Sequence, residues 1–235
     1  MGQDFRDPEV AKKWENGGTI HNPLRAEQLE ILVEIVRRTY REDHVILDLG
    51  YGTGQVDKLI LEAVNHAKIV GIDWSDAMME IAKNRLNDFG DHFESIRWDL
   101  SQLASLSLAH GSCQIVIAVQ SLHHLTPEGM KSAYRWIFEN LEHGGIFLLQ
   151  DRVRVEDERV FPLYQRLWQK VDALNHTALA AHEGDNYEEH IRRTRERGDY
   201  PVLLDEHLKW LKDEGFHAAC LHAYGHRVLV GAVKP

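Results

Sequence analysis

Two periodicities alternate along most of this chain. Val45 to Leu49 is a short apolar run of strand-forming residues, and beyond Thr53 the spacing turns helical, with Val56, Leu59, Ile60 and Ala63 on one face. The alternation then repeats. Residues 68–73 read as a second strand, and Ser75 caps a helix carrying Met79, Ala82 and Leu86. Residues 93–98 form a third strand. Residues 114–120 are almost continuously apolar, as expected of a central parallel strand covered on both faces. Thr126-Pro127 opens a helix through Met130, Ala133, Ile137 and Leu141, which Gly144-Gly145 closes before a fifth strand at 146–150. Leu208, Trp210 and Leu211 mark a last helix, and residues 216–224 and 227–233 read as strands joined tightly at Gly225-His226. Such alternation predicts an α/β fold with a doubly wound, mostly parallel sheet.

Two stretches stand outside this rhythm. Ahead of the first strand, Asp7-Pro8-Glu9 starts a helix that Gly17-Gly18 should close, and Asn22-Pro23 starts another with Leu29, Leu32, Val33, Val36 and Tyr40 on one face. After the fifth strand, residues 152–203 fill a connection that ordinarily needs about 2–6 residues. Val160, Tyr164, Leu167, Trp168, Val171 and Leu174 make a helical stripe after Pro162, and residues 187–197 make a further helix. The stripe is either plain packing surface or part of a helical lid that supplies a substrate pocket. The lid is the sharper expectation, because the insertion leaves the sheet at the carboxyl end of strand five. The expected organisation is therefore one domain: a helical arm (1–42), a core (43–151), the lid (152–203), and a closing helix with a hairpin (204–235).

Composition narrows the partners. The chain has 235 residues, 43% hydrophobic, and a formal charge of −10, which gives no general attraction to phosphate backbones. A small-molecule substrate is expected rather than nucleic acid. Cys113 and Cys220 show no metal-type spacing and read as reduced thiols suited to the cytoplasm. Neither a signal core nor a run of about 18 apolar residues occurs, so neither secretion nor membrane insertion is expected. The 15 histidines contain no tight ligand motif, and no metal is expected. A monomer and a homodimer are equally compatible with the sequence.

The chemistry is carried by the turn after strand one. Asp48-Leu49-Gly50-Tyr51-Gly52-Thr53-Gly54 sits between a strand and a helix, where glycines allow positive φ and bring a ligand against bare backbone at a helix amino terminus. A dinucleotide fingerprint, G-x-G-x-x-G, would need its third glycine at position 55, which is Gln55, so an NAD-dependent oxidoreductase is the weakest reading. The register instead resembles the first motif of the class I S-adenosylmethionine (SAM)-dependent methyltransferases. Further stretches in that family's order extend the resemblance over residues 45–151: Gly71-Ile72-Asp73-Trp74, Arg97-Trp98-Asp99-Leu100, Ala118 to Leu125, and Leu141 to Ile146. It implies a seven-stranded sheet of order 3-2-1-4-5-7-6 with strand seven antiparallel, SAM as cofactor and S-adenosylhomocysteine (SAH) as product.

The resemblance also implies a site. Gly50, Gly52 and Gly54 would pass beneath the methionine part, Asp48 would hold the loop and the amino group, and Asp73 would accept both ribose hydroxyls. Trp74 would lie against adenine, while Asp99 and Leu100 would meet the adenine amino group and edge. The alternative for Asp99 is an ordinary turn aspartate. Arg25 could pair with the methionine carboxylate, or be a plain helix-start arginine. Tyr51 stands where a small residue is usual, so its ring either turns away from the loop or narrows the pocket. Gln120-Ser121-Leu122-His123-His124 replaces the Asn-Pro-Pro-Tyr or Asp-Pro-Pro-Tyr of enzymes acting on base or glutamine amide nitrogens, and argues against those acceptors. His123 and His124 are candidate bases, His124 being the closer match, and the alternative is a histidine that shapes the turn. Asp151 is a second candidate base or substrate anchor. Arg152, with Tyr164 and Trp168 of the lid, is a candidate substrate contact. The expected enzyme moves a methyl group from SAM to an O or N atom of a small molecule. Its rivals are a tRNA-base methyltransferase and a non-catalytic SAM-binding subunit or sensor.

Overall fold

A computed structural model describes residues 5–21, 25–109 and 111–235. Seven strands form one sheet: β1 (Val45–Leu49), β2 (Lys68–Asp73), β3 (Phe93–Arg97), β4 (Cys113–Val119), β5 (Leu141–Arg152), β6 (His217–Tyr224) and β7 (Arg227–Val233). Their spatial order is β3-β2-β1-β4-β5-β7-β6. β7 runs antiparallel to both neighbours and the remaining pairs are parallel, as the motif order implies. Nine α-helices are described: α1 (Pro8–His21), α2 (Arg25–Thr39), α3 (Gln55–Ala63), α4 (Asp76–Leu86), α5 (Pro127–Asn140), α6 (Phe161–Asn175), α7 (Leu179–Glu183), α8 (Tyr187–Arg197) and α9 (Leu204–Asp213). None is long and apolar enough to cross a membrane.

The period-two strands divide their side chains between two cores. Ile46, Ile69, Ile115 and Ile117 face α2, α3 and α4, meeting Leu32, Val36, Ile60 and Ala82. Leu47, Leu49, Val70, Val116 and Ala118 face the other way, onto Met130, Tyr134 and Ile137 of α5 and Leu211 of α9. A third cluster, Val155, Phe161, Trp168, Val171 and Leu179, belongs to the insertion. The aromatic stripe of α6 is thus largely packing surface. Trp168 is 1% exposed and its indole N–H reaches Nδ1 of His226 at 3.2 Å, so it is a core residue rather than a substrate contact.

Several local expectations change. α1 passes through Gly17-Gly18 to His21, because glycine inside a helix costs only about 1 kcal/mol and stops it only where the chain turns left-handed. The start expected at Asn22-Pro23 lies outside the described residues. Gly144-Gly145 does not cap α5. The helix ends at Asn140 and β5 begins at once, with Gly144 at φ +77° where the β4–β5 register shifts between Cys113 and Ile115. A β-carbon on Gly145 would stand 2.9 Å from the Gln114 carbonyl oxygen, so the second glycine permits the strands to approach. On α3 the buried face is Val56, Asp57, Ile60 and Leu61, while Leu59 is exposed. An acid therefore lies on the inner face of that helix.

Candidate active site

The order of the sheet reverses between β1 and β4, and ligands of open α/β sheets bind outside the carboxyl ends of the strands at such a point. A cavity opens there. Its floor is the glycine turn with Asp48, Gln55 and Val56, one wall carries Asp73, Trp74, Ser75 and Met78, a second carries Asp99, Leu100 and Ser101, and the far side carries Gln120, Ser121, His124 and Leu125. Phe5 and Arg25 complete it from the amino-terminal side.

The turn is held by its neighbours. Gly50 lies at φ +77°, and a β-carbon there would stand 2.4 Å from Cβ of Ser121, whose hydroxyl donates to the Leu49 carbonyl at 2.6 Å. Gly52 lies at φ +56° with nothing within 4 Å of a notional β-carbon, so bare backbone faces the cavity. Its amide donates to Oδ2 of Asp73 at 2.9 Å, and the Ser75 amide donates to Oδ1 at 2.9 Å. Burial pushes the Asp73 carboxyl up, although these amides pull the other way. The Tyr51 ring turns away from the loop. It lies across β2, with its hydroxyl 2.7 Å from Ser95 and its edge on Phe93, and a β-carbon on Gly71 would meet it at 2.6 Å. The glycine in strand two makes room for the tyrosine in the loop.

The amino-terminal arm folds over this cavity. The Ser75 hydroxyl donates to the Phe5 carbonyl at 2.5 Å, and the Phe5 ring stands edge-on to His124 at 5.7 Å. The Arg6 guanidinium lies 5.1 Å from the centre of the Trp74 ring, which is 41% exposed. From α1, Glu15 accepts from the Thr53 hydroxyl at 2.5 Å and pairs with Arg85. Arg25 is buried and donates to Oε1 of Gln55 at 2.9 Å. Asp99 lines the cavity and also caps the turn after β3, accepting from the Ser101 amide at 2.8 Å. That aspartate is thus a turn residue that also stands at the cavity wall.

The two histidines have different surroundings. His123 is buried and does not line the cavity, and its Nδ1 lies 2.5 Å from Asp151, whose other oxygen accepts the His123 amide at 3.1 Å. Burial, outweighing the pull of Asp151, lowers the His123 pKa, while His123 and the Arg152 amide outweigh burial and lower that of Asp151. A neutral imidazole therefore donates from Nδ1 to a carboxylate. Asp151 is fully buried behind it, and neither side chain lines the cavity. His124, with 36% of its side chain exposed, is the one that faces the cavity. Its Nδ1 lies 3.3 Å from Oδ1 of Asp199.

Asp199 comes from the insertion and was not singled out from sequence; a lone aspartate after Gly198 carries no signal there. Its Oδ2 pairs with Arg152 at 2.7 Å and Arg197 at 3.2 Å, and against burial Arg152 and the two histidines hold the carboxyl well below its ordinary range. Arg152 is thus committed to an ion pair and does not line the cavity. Tyr164 likewise packs on Trp168 and approaches Gly225. Among the described residues, one ligand-like group, His123, His124 and Asp199, has its donor atoms within 4.8 Å of one another, but Arg152 and Arg197 already neutralise the acid. A second buried acid, Glu183, joins the insertion to the sheet through Arg227 at 3.3 Å and His226 at 3.2 Å, and Arg227 donates to Gln120 at 2.7 Å.

Residues 46–145 match a family described as a methyltransferase domain. This match, together with the strand order, supports a class I SAM-dependent methyltransferase. Among curated proteins, this chain is 22% identical to a carboxy-S-adenosyl-L-methionine synthase from Nautilia profundicola over 89% of its own length and 85% of the relative's. Among solved structures, an O-methyltransferase family protein from Burkholderia thailandensis superposes with a TM-score of 0.69 at 14% identity, covering 98% of this chain. This chain spans only 61% of that solved chain. A magnesium protoporphyrin IX methyltransferase from Synechocystis with bound SAH gives a TM-score of 0.60 at 17% identity, covering 89% of this chain and 83% of that one. At these identities the solved structures establish the fold.

SAM is the cofactor, and the residues present fit it. Bare backbone at Gly52 faces the cavity, Asp73 keeps lone pairs beyond its two amide donors, and the buried oxygens of Asp48 have no hydrogen-bond partner among the described residues. An acceptor for ribose hydroxyls and an acid for an ammonium group thus stand ready in one cleft.

Proposed function

We propose that the protein transfers the methyl group of SAM to an O or N atom of a small molecule, and that His124 takes the acceptor's proton. Supporting this is one arrangement: a cavity-lining imidazole whose Nδ1 faces a buried carboxylate at 3.3 Å. Asp199 fixes the tautomer with the proton on Nδ1, which leaves the Nε2 lone pair for the cavity. Arg152 and Arg197 hold Asp199 ionised and in place, so the insertion contributes a positioning residue rather than a lining one. SAM, when bound, supplies an electrophilic methyl on a sulfonium. Gly50, Gly52 and Asp48 are proposed to hold its methionine part, Asp73 the ribose, Trp74, Asp99 and Leu100 the adenine, and Arg25 the carboxylate. The chain's further contribution is alignment, worth up to roughly 7–11 kcal/mol in such displacements. The phenyl face of Phe5 and the closed arm exclude water.

A second reading is favoured by the curated relative, which is named for making carboxy-SAM. There the modified SAM itself would be the product. Incubating the protein with SAM and a small-molecule metabolite extract, followed by mass spectrometry, separates the two. SAH with a methylated acceptor is the expected result; carboxylated SAM would overturn methyl transfer in favour of the second reading. With the acceptor in hand, His124→Gln should lower kcat by about a hundredfold or more while leaving SAH affinity unchanged. Asp199→Asn should lower kcat less, and should shift the acid limb of the pH–rate profile. An unaltered rate in His124→Gln would assign the histidine to turn shape alone.

A further inference from the structure

Behind the methionine end of the cleft lies a second carboxylate. Asp57 stands in the first turn of α3, where an acid is ordinary on the solvent side, yet it is 0% exposed. Asp48, at the end of β1, is 1% exposed and lines the cavity. The two buried carboxyl groups neighbour each other, and each acts on the other's proton. None of their four oxygens has a partner in good hydrogen-bond geometry among the described residues. Two bare carboxylates cannot share a buried site at such range, since each is an acceptor only and their charges repel. A proton between them resolves both conflicts.

We infer that Asp48 and Asp57 hold one proton between them in the ligand-free protein and release it to solvent when the α-ammonium of SAM or SAH arrives beside Asp48. Asp57 is then a positioning residue for the cofactor, and cofactor binding is linked to pH. The balance is simple: a carboxyl O–H is lost, an ammonium N–H takes its place as the donor, and one proton leaves. The direction of the buried pair's titration agrees. Burial and the charge of Asp57 push Asp48 well above its ordinary value, and burial pushes Asp57 up to about 7 against the pull of its own amide and of Asp48. The other charged or titratable groups facing the pair are Asp73 of β2, which raises both, Arg25 of α2, which lowers Asp48, and Tyr51 of the turn, which burial and the acids push up, away from neutrality. Glu15 of α1 acts on Arg25, and His124 acts on Asp73 across the cleft.

Because the free pair holds its proton near neutrality, affinity should rise with pH, by up to about tenfold per pH unit wherever the free pair carries the proton. The inference rests on SAM as cofactor. Its test is a calorimetric titration of the intact protein with SAH at pH 6.5, in buffers of different ionisation enthalpy. Release of roughly half a proton or more is expected. 5′-Methylthioadenosine, which keeps the nucleoside and lacks the amino acid, should bind with none. Asp57→Asn should bind SAH with little release and with a dissociation constant nearly flat from pH 6 to 8. SAH binding by the wild type without net proton release between pH 6 and 7.5 would overturn the inference alone; equal release with 5′-methylthioadenosine would move the proton to another group and overturn it too. No SAH binding at any pH would remove the cofactor and the inference together.

Discussion

Asp73→Ala is expected to abolish measurable SAH binding while the protein stays folded. The carboxylate is the one acid of the cavity that is held at both oxygens, by the amides of Gly52 and Ser75 at 2.9 Å each. Those amides orient it and leave lone pairs for two ribose hydroxyls. Hydrogen bonds to a charged group contribute about 1.5–3 kcal/mol each, so losing two weakens binding by about 3–6 kcal/mol, roughly a hundredfold to ten-thousandfold. The same change frees the Gly52 amide, which loosens the turn and adds to the loss. Stability should fall by about 1–3 kcal/mol for each amide left without its acceptor, less for Gly52, which faces the cavity, than for Ser75, which is buried. Asp73→Asn keeps one acceptor and should fall between the two proteins. Calorimetry with SAH, beside a thermal melt, checks both halves; normal affinity in the alanine variant would mean that the ribose lies elsewhere.

The second large effect is on stability. Glu183 is fully buried between Arg227, His226, Arg197 and His190, and through Arg227 and Asp199's partner Arg197 it joins the insertion to the sheet. His226, His190 and Arg152 outweigh burial and hold its carboxyl well below the ordinary range, while burial lowers His226 to about 4 and, with Arg152, lowers Arg227 to about 9. Removing the acid leaves cations in the interior without a counter-charge, a loss of about 3–5 kcal/mol. In a chain of this size, Glu183→Ala should therefore melt roughly 6–20 °C lower than wild type at pH 7.5. The sign with pH follows. A depressed carboxyl contributes its stability above its unfolded value near 4.5 and loses it as pH falls through the folded value, and a buried neutral His226 costs stability as pH falls from about 6.5 toward 4. The difference between variant and wild type should shrink on acidification. An unchanged melting temperature would show that Arg227 finds another partner and that the insertion is held by its apolar cluster alone.

The opposite sign at Asp48 and Asp57 gives the protein two pH responses. Those raised carboxyls oppose stability as pH rises above about 4, whereas the contribution of Glu183 grows as pH rises toward about 4.5 and is constant above it. Acid weakens the joint between insertion and sheet, while it protonates the cup at the methionine end.

What the sequence determined by itself was the frame and the cofactor. Runs such as Val45 to Leu49 and Gln114 to Gln120 announce strands because backbone periodicity is local, and Asp48, Gly50, Gly52, Gly54, Asp73 and Asp99 announce a cleft because one turn and two strand ends fix their relative positions. Tyr187 to Arg197 was legible as a helix for the same reason, down to its bounds. Only the tertiary structure decided which histidine meets the cavity. His123 and His124 are neighbours in sequence, and the tight turn after β4 sends one inward to Asp151 and the other outward to Asp199. It also decided that Trp168 is core, that Arg152 is spent on an ion pair, that Tyr51 lies in the space left by Gly71, and that Asp57 is buried beside Asp48. Each of these depends on a partner far away in the chain, and charge pairing and burial at such distances leave no period in the sequence.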